Sequence, residues 1–113
     1  MPHCIIEYST PIQESVPAKV LLNTVHKAAI NSQLFSVDDI KTRLVPFSQD
    51  QLILATANFI HVSVHILSGR TIEQRAQLSA LMLKALNELV LESISISVNI
   101  VELERDCYAK TVK

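Results

Sequence analysis

Four places in this 113-residue chain carry residue types that could do chemistry: Pro2, the pair Lys41 and Arg43, the His61 region, and Gly69-Arg70-Thr71. A Met1-Pro2 start is a good substrate for removal of the initiator methionine, which would leave Pro2 with a free secondary amine. The ordinary pKa of an α-amino group is about 7.7–8.0. Nearby cations or desolvation would lower it further and leave a neutral base at working pH. Proline also follows the start residue in many proteins where it does nothing, so position alone does not decide.

Arg70 falls where an apolar run gives way to a helical pattern. A cation there does not complement the helix dipole, but a guanidinium beside free backbone N–H groups makes a carboxylate site. The plainer reading is a solvated arginine in a turn. Lys41 and Arg43 lie two apart on an extended run and so share a face, which gives either an anion cradle or an exposed strand face. In Phe59-Ile60-His61-Val62-Ser63-Val64-His65, the residues Phe59, His61, Ser63 and His65 share a strand face. His61 and His65 would stand roughly 13 Å apart on a strand. One zinc ion with bonds of about 2 Å cannot span that, so no metal site is expected. His61 reads instead as a packed or pocket-lining imidazole, and His26 as a surface residue of the first helix.

The elements that must position these residues follow from periodicity. His3–Ser9 reads as a strand. A helix capped by Ser15 follows, with Ala18, Leu21, Leu22, Val25, Ala28 and Ala29 on one stripe. Ile40–Val45 alternates as a second strand, and the segment from Phe47 to Ala57 reads as a connection. Asn58–Leu67 is a third strand, ended by Gly69. Thr71 and Gln74 form a capping box for a second helix, apolar around so much of its girth that broad burial is expected. Ser93–Leu103 closes as a fourth strand, before a polar tail. The order β-α-β, β-α-β gives an α+β, two-layer domain over residues 1–113. Each half has a crossover long enough for a right-handed parallel strand pair.

Composition narrows the function classes. The chain is 49% hydrophobic and 19% charged with net charge −1, which excludes disorder and argues against a sequence-independent nucleic-acid binder. The single glycine, Gly69, excludes a Gly-rich phosphate loop and a dinucleotide fingerprint. The apolar runs are too short to span a membrane. No basic region precedes Glu7, so no secretory signal is expected. Cys4 and Cys107 have no metal or redox spacing and read as reduced cytoplasmic thiols.

Taken together, these residues resemble a known family. Pro2-His3-Cys4-Ile5-Ile6-Glu7-Tyr8-Ser9 is similar to the start of 5-carboxymethyl-2-hydroxymuconate Δ-isomerases, members of the tautomerase superfamily. Ile40-Lys41-Thr42-Arg43, Phe59-Ile60-His61, Ser68-Gly69-Arg70-Thr71-Ile72-Glu73-Gln74-Arg75 and the tail after Ile100-Val101-Glu102-Leu103 are similar to later parts of the same family. The resemblance implies a four-stranded mixed sheet with two helices on one face, a homotrimer, and catalysis by an N-terminal proline without a cofactor. It implies that Pro2 is the general base and acid and that Arg70 binds a substrate carboxylate. Lys41 and Arg43 would assist, and Phe59 and His61 would line the pocket. Lys41 stands where better-known members carry arginine, so charge is kept and bidentate carboxylate recognition is lost. The implied substrate is an unsaturated hydroxy di- or tricarboxylate from aromatic degradation. The alternatives are a non-catalytic ferredoxin-like binding module, whose second and third strands form a hairpin, and a superfamily relative that hydrates or dehalogenates an unsaturated acid.

Overall fold

Alternation along the first strand sets the two layers. In β1 (His3–Ser9), Cys4, Ile6 and Tyr8 are buried, and His3, Ile5 and Glu7 between them point to the opposite face. The computed structural model describes residues 1–113, and the same alternation recurs in β3 (Asn58–Leu67), where Ile60, Val62, Val64 and Ile66 are buried. These two strands form the centre of a four-stranded sheet of order β2-β1-β3-β4.

Helix α1 (Ala18–Asn31) begins later than the expected Ser15 cap. Thr10–Glu14 forms a 3-10 turn with Pro11 in its first turn, and Pro17 occupies the N-cap of α1. A residue before proline is pushed out of the helical region, so Val16 cannot continue a helix into Pro17. Leu21, Val25, Ala28 and Ala29 form the buried stripe of α1. Strand β2 (Lys41–Phe47) is displaced by one residue at its start and two at its end from the expected Ile40–Val45. Pro46 is tolerated inside it because β2 is an edge strand, where a missing N–H breaks no inner ladder.

Helix α2 (Ile72–Asn87) starts as the sequence indicates. The Thr71 hydroxyl accepts from the Gln74 N–H at 3.1 Å, and the Gln74 side-chain oxygen accepts from the Thr71 N–H at 2.9 Å. Such a cap stabilises a helix by about 1 kcal/mol. The expected broad burial of α2 is not met within one protomer. Leu78, Met82 and Leu86 are buried at four-residue spacing, Leu81, Leu83 and Leu89 are half-buried, and Val90 is exposed. Strand β4 spans Ile94–Leu103, one residue shorter than expected, because Ser93 turns the chain with a φ of 51°.

β1 runs parallel to β2 and antiparallel to β3, and β3 runs parallel to β4. β1 therefore separates β2 from β3, which excludes the ferredoxin-like arrangement with its β2–β3 hairpin. The register pairs His3 with Lys41 on one side and with His65 on the other. The beginning of β1, the beginning of β2 and the end of β3 thus meet at one end of the sheet. At the far end, the buried Ser9 hydroxyl donates to the Asn58 side chain at 2.8 Å and accepts from the Phe59 N–H at 3.1 Å. No helix is long and apolar enough to cross a membrane.

Candidate active site

Pro2 lies at the meeting point of three strands, immediately before β1, and is buried. Its carbonyl accepts from the Lys41 N–H at 3.0 Å, which ties it to the start of β2. Met1 precedes it and lines a small cavity of about 60 Å³ with Phe35, Ile66, Leu67, Arg70 and Arg105. The end of β3, the turn at Gly69 and the segment after α1 all border this cavity. Loss of Met1 would remove one wall of this cavity and leave Pro2 as the terminal residue beside it.

Arg70 is held rather than solvated. Its Nη2 donates to the Leu34 carbonyl, and its guanidinium lies 5.7 Å from the centre of the Phe35 ring, within cation–π range. Neither partner is an anion. The turn that delivers Arg70 depends on Gly69, whose φ of +124° is a conformation side-chain-bearing residues rarely adopt.

Lys41 and Arg43 reach this end of the sheet, but their side chains do not line the Arg70 cavity. They border a shallower hollow of about 470 Å³ at the β2 edge, together with His26 and Thr42. The Lys41 ammonium donates to the Asp39 carbonyl at 3.1 Å. Arg43 Nη1 lies 3.1 Å from His3 Nδ1, while His3 Nε2 lies 3.1 Å from the Tyr108 hydroxyl. A guanidinium can only donate, so His3 Nδ1 accepts and its ring is neutral in this arrangement. His26 is not the surface residue expected: its Nδ1 lies 2.8 Å from the Thr42 hydroxyl, bridging α1 to β2.

Phe59 and His61 do not line the cavity that Met1 and Arg70 border. Register places His65, not His61, opposite His3, and His61 pairs with Glu7 farther along. His61 is thus four residues, or roughly 13 Å, down β3 from the Pro2 end, and Phe59 is farther still. His61 Nδ1 contacts the Ser97 hydroxyl at 2.6 Å, and Phe59 packs against Phe47 with ring centres 6.2 Å apart. Within one protomer both belong to the opposite end of the sheet.

The polar tail contributes residues that sequence patterning missed. The Ser68 N–H donates to the Leu103 carbonyl at 2.9 Å, and Arg105 Nε returns to the Ser68 carbonyl at 2.7 Å. Farther on, Tyr108 meets His3, and Lys110 forms an ion pair with Asp39 at 3.2 Å. The tail therefore crosses the same sheet end as Pro2. The signal in the sequence was the common length of β3 and β4: Leu67 pairs with Leu103, so the next residues of each chain segment run on together.

The electrostatics of this end disfavour protons. Desolvation lowers the pKa of the Met1 amino group; Asp39 opposes this, and Lys41 and Lys110 reinforce it. His3 is lowered by desolvation first and then by Arg43 and Lys41. The Asp39 carboxyl is lowered mainly by its hydrogen bond to Lys110. Burial pushes the Cys4 thiol up to about 11, which leaves it protonated and unreactive although it is two residues from Pro2.

The profile of the family described as 5-carboxymethyl-2-hydroxymuconate isomerase matches residues 2–112. No curated protein sequence matches the chain. Among solved structures, one titled 5-carboxymethyl-2-hydroxymuconate isomerase from Deinococcus radiodurans R1 superposes with a TM-score of 0.77 at 20% identity, covering 99% of this chain and 90% of that one. A second, titled 5-carboxymethyl-2-hydroxymuconate delta-isomerase, gives 0.76 at 12% identity, covering 100% and 89%. A fused 4-OT described as a symmetric trimer gives 0.78 at 19% identity, covering 96% and 90%. At these identities the likeness is one of fold, and the fold is the tautomerase-like α+β sandwich of four mixed strands and two helices.

Proposed function

The chain belongs to the 5-carboxymethyl-2-hydroxymuconate isomerase family, whose reaction class is isomerisation or tautomerisation, and on that footing we propose that Pro2, freed by loss of Met1, is its catalytic group. The substrate on this reading is an unsaturated hydroxy di- or tricarboxylate, 5-carboxymethyl-2-hydroxymuconate or a close analogue. The neutral amine of Pro2 takes the proton of the enol hydroxyl and returns one to a distal carbon, which moves the double bond. No oxidation or group transfer occurs, and the reaction needs no cofactor.

Arg70 holds a substrate carboxylate beside the amine. Its hydrogen bond to a carbonyl rather than to an acid leaves its charge uncompensated for that task. Lys41 and Arg43 act through their field: they favour the unprotonated amine and the negative charge that develops on the dienolate oxygen. The observation that carries the proposal is that Met1, bonded directly to Pro2, borders one cavity with Arg70, distant in sequence, at one sheet end.

The same reading makes the protein a homotrimer. The half-buried apolar flank of α2 and the open sheet edges support it, and sedimentation velocity tests it by separating three 12.6 kDa chains from one. The activity itself is tested by the ultraviolet change of 5-carboxymethyl-2-hydroxymuconate and of simpler 2-hydroxymuconates. Turnover above the spontaneous rate supports the proposal, and a rate equal to the buffer blank for every substrate ends it.

A further inference from the structure

We propose that Arg105, delivered by the C-terminal tail, is a second carboxylate-binding residue of this site and selects substrates that carry more than one carboxylate. The inference deepens the isomerase reading and rests on it for the identity of the site.

Arg105 and Arg70 border one cavity, yet neither forms an ion pair. The protein's two ion pairs are Arg75–Glu102 and Lys110–Asp39. Arg105 is flanked by Glu104 and Asp106, and neither carboxylate takes it; Glu104 instead accepts from the Cys107 thiol at 3.3 Å. Arg105 Nε donates to the Ser68 carbonyl, and the guanidinium lies against Gly69, with its Nη2 3.6 Å from where a β-carbon would stand. One N–H of its five is thus used to aim the group, and its terminal nitrogens remain to meet an anion. Two cations facing one small cavity repel each other, and a ligand bearing two carboxylates relieves that repulsion better than a ligand bearing one.

The position is built rather than incidental. The parallel register runs Leu67 against Leu103, and the Ser68 N–H to Leu103 carbonyl bond extends it past the strands. Arg105 then sits against Gly69 beside Arg70. Tyr108 on His3 and Lys110 on Asp39 fasten the tail beyond it. Lys41 and Arg43 are meanwhile engaged by Asp39 and His3, outside the cavity. Among these cations, the second planar fork that faces the cavity comes from the tail and not from β2.

The test uses cis,cis-muconate, a six-carbon diene with two carboxylates and no enol hydroxyl, against sorbate, a six-carbon diene with one. Binding of each to the wild type, Arg105→Ala and Arg105→Lys is measured by titration calorimetry. The wild type should prefer muconate, and Arg105→Ala should weaken muconate by about tenfold or more while leaving sorbate unchanged. Arg105→Lys should recover part of the loss. Equal weakening of both ligands, or no weakening of muconate, overturns the proposal. In turnover of 2-hydroxymuconate, Arg105→Ala should raise KM and spare kcat. A wild type without turnover counts against the isomerase reading alone, because muconate does not react and reads Arg105 by itself.

Discussion

The backbone N–H of Lys41 donates to the carbonyl oxygen of Pro2 at 3.0 Å, so the first residue of β2 is fastened to the residue whose amine is proposed to react. The contact exists because β1 and β2 are parallel and begin together, with His3 opposite Lys41. It fixes the Pro2 nitrogen relative to the sheet and keeps a cation within its field.

That field gives the rate a pH dependence. Desolvation, Lys41 and Lys110 lower the pKa of the Met1 amino group against the pull of Asp39, and on the proposed reading the Pro2 amine, freed one residue on, faces the same cations. The base must be unprotonated, so kcat/KM should rise with pH and level off below the ordinary α-amino range of about 7.7–8.0. A hydratase or dehalogenase that needs the protonated amine would show the opposite slope. Lys41→Ala should shift the rise to higher pH, as read from profiles of both proteins.

His3 sets a pH dependence of stability in the same region. Its pKa is lowered by desolvation, Arg43 and Lys41, so the unfolded chain takes up this proton more readily than the folded one. Stability from this group is therefore complete above the unfolded value of about 6.5 and is lost as pH falls from there through the folded value. Protonation would also place a donor on Nδ1 against the Arg43 guanidinium. The Tm should fall as pH drops below about 6.5, and thermal melts of His3→Gln should show a smaller fall.

Gly69→Ala should lower stability by about 1–3 kcal/mol, because a φ of +124° strains any residue with a β-carbon. The new methyl would meet Arg105 at an ordinary 3.6 Å, so the cost is backbone strain and not collision. Urea unfolding should show a lower midpoint with an unchanged slope.

The sheet was legible because its signals are local and periodic. Alternation in Asn58–Leu67 and the Thr71–Gln74 capping box each mark one element, and the long segment after β2 argued against a hairpin. Boundaries failed at prolines, where Pro17 delays α1 and Pro46 is tolerated only because β2 is an edge. Phe59 and His61 lie down β3 from the Pro2 end, a separation that sharing a strand face with His65 leaves open. Arg105 was unreadable from its neighbours, since a polar tail without a period gives no direction. Its place follows from a long-range parallel register between β3 and β4, which no single segment encodes.

The most direct test of the account is the turnover of 5-carboxymethyl-2-hydroxymuconate by Pro2→Ala, with intact mass confirming that Met1 is removed from both proteins and circular dichroism confirming the fold. Replacing the ring amine by a primary one at the same terminus should reduce kcat by about 10²-fold or more. A folded, processed Pro2→Ala protein that turns over substrate as fast as the wild type would contradict it.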